Sequence, residues 1–392
     1  MFWLNVALLI ASADAQLHLE KARDYTTPTR LLNVDEYPRF ADDQQLVGMD
    51  TAIQRQLKRF QSKNLQGRIS LGGKYYPLQH AVKSLETFRS LVAEFKICVS
   101  QEPMETCLEK FNLHLKKSFY VFAPALTSED PRYGQAKTAF FTGYHTLPLK
   151  AQARPSNEFP YPVYKNPHDP KLLKSRQDID FRSALTGKNL EILFAPSLFD
   201  LYQMHIEGGG FVSLEENGKT NHFFLSFDGT NKKKWNWISK YMMDKGYIKN
   251  PSVAAQRKFL RTNPQLHEEI FSTCPSYVFF KVSHQPPQGA DAVPLTDGRS
   301  IATDIELYRF KGLLAYIESE RPEELDGYDF EEEDVNNVRF RPFSRFFLDQ
   351  DTGGAIKGKA RADIYWGKDD YAKYAATFAS HPGNIYFLLA KP

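Results

Sequence analysis

Apolar positions recur at helical spacing through the leading third of the chain and at strand spacing after it. Asp50 stands ahead of Ile53, Leu57 and Phe60, which fall at i, i+4 and i+7 and predict a helix capped by Asp50. Val82, Leu85, Phe88, Val92 and Phe95 form a second stripe. Leu108, Phe111 and Leu115 form a third, with Pro103 in its first turn. Residues 16–45, with scattered charge, Pro28 and Pro38, read as an irregular lead-in.

From Ala139 the texture turns to β. Ala139–His145 reads as a strand, and the passage from Pro148 to Pro170 as loop or edge structure, because proline has no N–H for a sheet ladder. Leu190–Phe194 and Leu201–Ile206 read as strands, residues 231–248 as a helix and Ser276–Val282 as a strand. Gly208, Gly209 and Gly210 break the chain and suit close approach of a ligand or another backbone. Val293–Thr296 and Arg299–Asp304 open a run of short strands, interrupted at 318–334 by an acidic stretch read as a solvated loop. Lys359–Trp366 alternates, so Arg361, Asp363 and Tyr365 share one face and Ala362, Ile364 and Trp366 the other. Asp369 or Asp370 caps a last helix, and Ile385–Leu389 closes as a buried strand.

A length of 392 residues suits two domains, or one carrying a large insertion. A net charge of +3 gives no nucleic-acid footprint. The 30 Phe, 20 Tyr and 4 Trp suit a sugar groove and a large core equally. Met1–Ala13 is an apolar run, and Ala13-Asp14-Ala15 is a small-x-small site, so residues 1–15 read as a secretory signal peptide. No later stretch approaches the roughly 20 apolar residues a membrane span needs. Export would permit one disulfide, most simply Cys98 to Cys107, leaving Cys274 unpaired. The cysteines match no metal spacing and the histidines form no His-Glu-x-x-His, so neither metal nor cofactor is expected.

The candidate chemistry gathers in Asp349-Gln350-Asp351-Thr352-Gly353-Gly354-Ala355-Ile356-Lys357-Gly358 and in Arg361–Gly367. Its glycines read as a tight turn, since glycine alone enters positive φ without penalty. Asp351-Thr352-Gly353 is also the tripeptide of aspartic proteases, whose paired carboxylates require a second copy or a symmetric dimer. No second copy occurs.

Several ordered motifs resemble one family, the MltA-type membrane-bound lytic murein transglycosylases. They are Phe141-Thr142-Gly143-Tyr144, Tyr161-Pro162-Val163-Tyr164, Ser175-Arg176, Ile206-Glu207-Gly208-Gly209-Gly210 and Tyr277-Val278-Phe279-Phe280. Pro294-Leu295-Thr296 with Arg299-Ser300, Asp351 to Gly358, Arg361-Ala362-Asp363 and Trp366-Gly367 follow in family order. The resemblance covers about residues 138–392. It implies a mainly β protein with N-terminal helices, in which a double-psi β-barrel domain carries an inserted β-rich domain and a groove lies between them. The expected boundaries are 16–145 and 285–392 for the barrel domain and 146–284 for the insertion.

The resemblance implies cleavage of peptidoglycan glycan strands with 1,6-anhydro-N-acetylmuramic acid ends. Asp363 is the expected acid and then base, Asp351 its support, and Asp349 is expected to be peripheral. Thr142, Tyr144, Glu207, Gly208, Gly209, Gly210, Gly353, Gly354, Lys357, Arg361 and Tyr365 are the candidate substrate contacts. Arg361 is expected on substrate, or paired with Asp351 or Asp349, because facing Asp363 it would oppose a protonated acid. Burial beside Tyr365 and Trp366, or repulsion from Asp351, is expected to help keep that acid protonated. An exported, periplasmic, monomeric protein is implied, associated with the outer membrane or the wall machinery. The chain departs from the family at His145, Thr146, Glu207 and Lys232–Trp237, and it lacks a lipidation cysteine after the signal-like segment. A non-catalytic wall-binding module and a water-using muramidase are the alternatives.

Overall fold

A computed structural model describes residues 23–127, 138–216, 218–323, 338–354 and 356–392. The segment read as a signal peptide, Ala355 and most of the acidic run lie outside these. The chain opens with β1 (Arg23–Thr26), β2 (Thr29–Leu31), α1 (Met49–Gln61), β3 (Gly67–Leu71), β4 (Lys74–Pro77), α2 (Gln79–Val99) and α3 (Met104–Ser118). Strands β5 (Phe119–Pro124), β6 (Ala139–Tyr144), β7 (Pro148–Gln152) and β8 (Tyr161–Tyr164) come next. Then follow α4 (Arg176–Asp180), β9 (Glu191–Ala195), α5 (Leu198–Glu207), β10 (Gly209–Glu216) and β11 (Lys219–Thr230). The middle ends with α6 (Ile238–Asp244), α7 (Val253–Thr262), α8 (His267–Ser272) and β12 (Val278–Ser283). The last stretch holds β13 (Ser300–Thr303), β14 (Leu313–Pro322), β15 (Phe340–Asp351), β16 (Arg361–Tyr365), α9 (Asp370–Phe378) and β17 (Ser380–Ala390).

The described residues divide into two compact units. One joins the chain up to His145 with the chain from Gln288 onward, and the other spans Thr146–Pro287. In the first unit the strands run β14-β15-β13-β16-β6-β17, and β14 pairs again with β17, so six strands close into a barrel. This is the double-psi barrel that the motifs imply. Closure matters physically because it leaves no open edge among these six strands. Strand β6, from the leading half of the sequence, lies between β16 and β17. The barrel therefore needs both halves of the chain. Helices α1 to α3 cover it, and Phe40, Phe88, Phe111, Tyr316 and Phe346 join helices and strands in one aromatic core. Burying each such ring contributes roughly 1.5–3 kcal/mol. The Cys98–Cys107 disulfide ties the end of α2 to the start of α3, and Cys274 is free and buried.

The second unit is built on the sheet β12-β11-β10-β7-β9-β8. Its core holds Tyr164, Ile179, Leu185, Leu190, Tyr277 and Phe279. Arg176 of α4 is fully buried there, with Asp180 at 3.4 Å, His205 Nδ1 at 2.8 Å and the Tyr202 and Tyr277 rings on its guanidinium. Burial pushes the Asp180 carboxyl up to about 6 against the opposing pull of Arg176.

Several local readings are corrected. Within the lead-in, Arg23–Thr26 and Thr29–Leu31 are strands, because β1 pairs with β3 and β2 with β5, partners far along the chain. Gly48, at φ 81°, caps α1, while Asp50 sits in the first turn and accepts from Gln54 and Arg89. Leu201–Ile206 is helical, started by the Ser197 hydroxyl accepting from the Phe199 and Asp200 amides. Only Ile238–Asp244 of the 231–248 stretch is helix; Trp235 lies ahead of it, stacked on Tyr202. Val293–Thr296 forms no strand, only a bridge from Pro294 to Gln288. Glu318–Pro322 is not loop but the end of β14, paired with Phe340–Ser344 of β15. Gly209 and Gly210 belong to β10, and the break falls at Gly208, the left-handed cap of α5.

Candidate active site

Four adjacent barrel strands bring the site together. Ala302 on β13 faces Asp351 of β15 on one side and Asp363 of β16 on the other. On the far side of β16, Thr142 of β6 is the register partner of Asp363, and Tyr144 that of Tyr365. Directly opposed residues on paired strands project to one face, so Thr142 and Asp363 meet. Ala302 is small and buried between the two acids.

Asp363 is 21% exposed and its neighbour Arg361 12%. The Thr142 hydroxyl donates to Asp363 Oδ1, and Arg361 Nη1 donates to the same oxygen at 2.6 Å. Arg361 Nη2 donates to Thr142 Oγ1, closing a triangle. The guanidinium also lies over the Phe140 ring. This corrects the expectation that Arg361 reaches Asp351 or Asp349: alternation put Arg361 and Asp363 on one face, and adjacency there decides the pairing. Both contacts fall on Oδ1, and among the described residues Oδ2 accepts no hydrogen bond.

Asp351, at the end of β15, accepts from the Tyr144 hydroxyl at 2.9 Å and from the Ala290 amide at 2.9 Å. Burial raises its carboxyl, while the Thr352 amide, the Tyr144 hydroxyl, the Ala290 amide and Lys311 oppose the rise. Burial, then the Asp351 charge, pushes the Tyr144 phenol well above its usual value, so Tyr144 serves as a donor. Its ring packs on Tyr365 with centroids 5.2 Å apart.

Asp349 is fully buried and accepts from Thr303 at 2.9 Å and Lys311 at 3.0 Å. Burial outweighs both partners and lifts its carboxyl to about 6.

Of the other candidates, Lys357 is half exposed and 3.5 Å from Asp304, whose carboxylate also takes the Gly358 amide. Gly358 alone of Gly353, Gly354 and Gly358 stands in the left-handed region, at φ 109°. Gly353 makes a close approach to Ile356 instead. Glu207, Gly208, Gly209 and Gly210 belong to the second unit, at the junction of α5 and β10. The surrounding protein pushes the Glu207 carboxyl up to about 7, yet the side chain is exposed, and water screens a shift of that kind. Among the described residues no three His, Cys, Asp or Glu side chains converge as a metal site would. Sequence reading missed Ala290, Asp291, Gln56 and Lys311, because a backbone amide and single polar residues in helix and loop carry no motif.

The profile of the MltA specific insert domain matches residues 140–281, and that of the 3D domain residues 299–389. The membrane-bound lytic murein transglycosylase A of Escherichia coli is 32% identical over 259 residues, 64% of this chain and 66% of that protein. The Vibrio cholerae protein of the same name is 29% identical over 252 residues, 63% of this chain and 64% of its own length. These alignments thus span a little under two thirds of the relatives. Among solved structures, E. coli MltA shares the fold with a TM-score of 0.60 at 23% identity, covering 96% of this chain and 98% of that one. The Burkholderia pseudomallei lytic transglycosylase LtgG gives 0.59 at 21% identity, covering 95% and 98%. With both family domains in order, and the fold shared along nearly its whole length, the chain belongs to the MltA family of lytic murein transglycosylases.

Proposed function

We propose that this protein cleaves the β-1,4 bond between N-acetylmuramic acid and N-acetylglucosamine in peptidoglycan and leaves a 1,6-anhydro-N-acetylmuramic acid end. The observation that carries the reading is the Asp363 carboxyl, tethered through Oδ1 by Thr142 and Arg361, with Oδ2 accepting no hydrogen bond among the described residues. The E. coli relative has been crystallised with bound chitohexaose, which supports a glycan strand as the ligand here.

Glycosidases that use water need two carboxylates, one as acid and one as base or nucleophile. Here the nucleophile belongs to the substrate. Asp363 passes a proton to the glycosidic oxygen as its bond to C1 breaks. The C6 hydroxyl oxygen of the same muramic acid bonds to C1, and its proton returns to the carboxylate. The strand becomes two pieces, with no water consumed and no cofactor needed for the balance. An intramolecular attack of this kind has a high effective molarity. Arg361 donates to Oδ1 in the free protein, and with substrate bound the guanidinium exchanges Asp363 for a substrate oxygen. After donation it returns and stabilises the anion. Asp351 supports the site through Tyr144, whose ring backs Tyr365.

Thr142, Tyr144, Gly353, Gly354, Lys357, Arg361 and Tyr365 in the first unit, and Glu207 to Gly210 in the second, are the proposed glycan contacts. The relatives are named as membrane-bound, and no helix among the described residues is long and apolar enough to cross a membrane. The signal-like N-terminus and the relatives' name support an exported protein in the periplasm, at the outer membrane or with the wall machinery, which we take to act as a monomer. Digesting purified sacculi and weighing the released muropeptides tests the reading. Anhydro products are expected. Products heavier by one water would replace it with a muramidase, and co-sedimentation without release would replace it with a binding module.

A further inference from the structure

Beside the site, a turn over Gly289–Val293 is pressed against the end of β15. The Gly289 amide donates to the Val293 carbonyl at 3.0 Å, and the Ala292 amide to the Gly289 carbonyl at 2.8 Å. Ala292 is held at φ 54°, a region that a non-glycine residue enters only when its surroundings impose it. A Cβ on Gly289 would stand 2.5 Å from the Gln350 carbonyl oxygen, so the approach is close enough to require glycine. The turn touches β15 through two donors: the Asp291 amide to the Gln350 carbonyl at 3.2 Å, and the Ala290 amide to Asp351 Oδ1 at 2.9 Å.

A buried polar cluster grips this turn from behind. Asp291 is 5% exposed and accepts from Gln56 Nε2 at 2.7 Å and from Lys63, while Arg59 donates to its carbonyl at 2.7 Å. Gln56, on α1, also accepts from Gln350 Nε2 at 2.9 Å, and Gln350 in turn accepts from Ser300 at 2.7 Å. Gln56 and Gln350 are both fully buried. Such a cluster costs desolvation at every member unless all are paired, and its bonds converge on the turn. We propose that Asp291, gripped by Gln56 and Lys63, is a positioning residue that holds the 289–293 turn so that the Ala290 amide meets the Asp351 carboxylate. The link to catalysis rests on the proposed transglycosylase reading; the link to Asp351 does not.

The charged and titratable groups around Asp351 include Tyr144 from β6, Asp349 from its own strand, Lys311 from the segment before β14, Asp363 across Ala302 and the Asp291 carboxylate of the turn itself. Loss of the Ala290 donor therefore raises the Asp351 carboxyl, whereas loss of the Asp291 charge alone would lower it. Carbon-13 and amide NMR titrations of the wild type, Gln56→Leu and Asp291→Ala test this, with Asp351→Asn identifying the Asp351 signal. In the wild type the Ala290 amide shift is expected to follow the Asp351 titration. In both variants that coupling is lost and Asp351 titrates about one unit higher, the worth of one hydrogen bond to a charged group. An Ala290 amide that ignores Asp351 in the wild type, or an unmoved or lowered Asp351 in folded variants, overturns the proposal. Muropeptide release is measured in parallel. A wild type that releases no anhydro products refutes the transglycosylase reading and leaves the NMR result to decide the positioning role.

Discussion

Arg361 donates Nη1 to Oδ1 of Asp363 at 2.6 Å, two positions along one face of the same strand. The proposed acid thus shares one oxygen with a guanidinium and a threonine hydroxyl, and among the described residues the other accepts no hydrogen bond. A forked donor is needed for this, since Arg361 reaches Asp363 and Thr142 at once. Lysine offers one point charge in its place. Arg361→Lys is therefore expected to keep the fold and lose about tenfold or more in kcat, with Thr142→Val losing a similar factor and Thr142→Ser much less. Steady-state release of muropeptides, with thermal melting as a fold control, checks it; equal loss in the serine and valine variants would remove the hydroxyl from the account.

Gly143 separates Thr142 from Tyr144, and a Cβ there would stand 2.4 Å from Trp366 Nε1 and 3.1 Å from the Ala376 Cα. Indole and helix backbone cannot both yield. Gly143→Ala is expected to destabilise the first unit by about 1–3 kcal/mol, the cost of overpacking. Denaturant midpoints measure this, and an unchanged midpoint would mean that β6 and α9 are looser than their packing indicates.

Asp349 gives a pH signature. Its folded carboxyl stands at about 6, above the roughly 3.9 of an unfolded chain. The folded state therefore holds this proton more tightly, and the group's stabilising contribution is full below about pH 4 and is lost as pH rises through 6. Asp180 acts in the same sense, while His205 and His145, lowered by burial, act in the opposite one below their ordinary range. A difference measurement isolates Asp349. The unfolding free energy of the wild type relative to Asp349→Asn is expected to rise by about 2 kcal/mol between pH 7 and 4.5. A constant difference would show that the Lys311 pair fully offsets burial.

What could be read from the sequence depended on how local its cause was. The stripe through Leu85, Phe88, Val92 and Phe95 and the alternation from Arg361 to Tyr365 are periodic, and both elements stand where the spacing puts them. The strands β1 and β2 exist because of partners many residues away, and nothing nearby announces them. Leu201–Ile206 sets Gln203 and His205 among four apolar residues, a pattern too short for periodicity to separate strand from helix, and the cap at Ser197 decided it. In the site, alternation gave the face of Arg361 but not its partner. Asp291 was invisible for a different reason: it acts through the amide of its neighbour, which every residue but proline possesses.

The central claim is that one carboxyl, Asp363, serves as acid and then base. Release of anhydro-muropeptides from sacculi by folded Asp363→Asn measures it most directly. The amide keeps the shape and the Oδ1 contacts but cannot give and retake the proton, so a loss of at least about 100-fold is expected with sedimentation onto sacculi retained. Release at the wild-type rate would contradict the account and move the chemistry to another group.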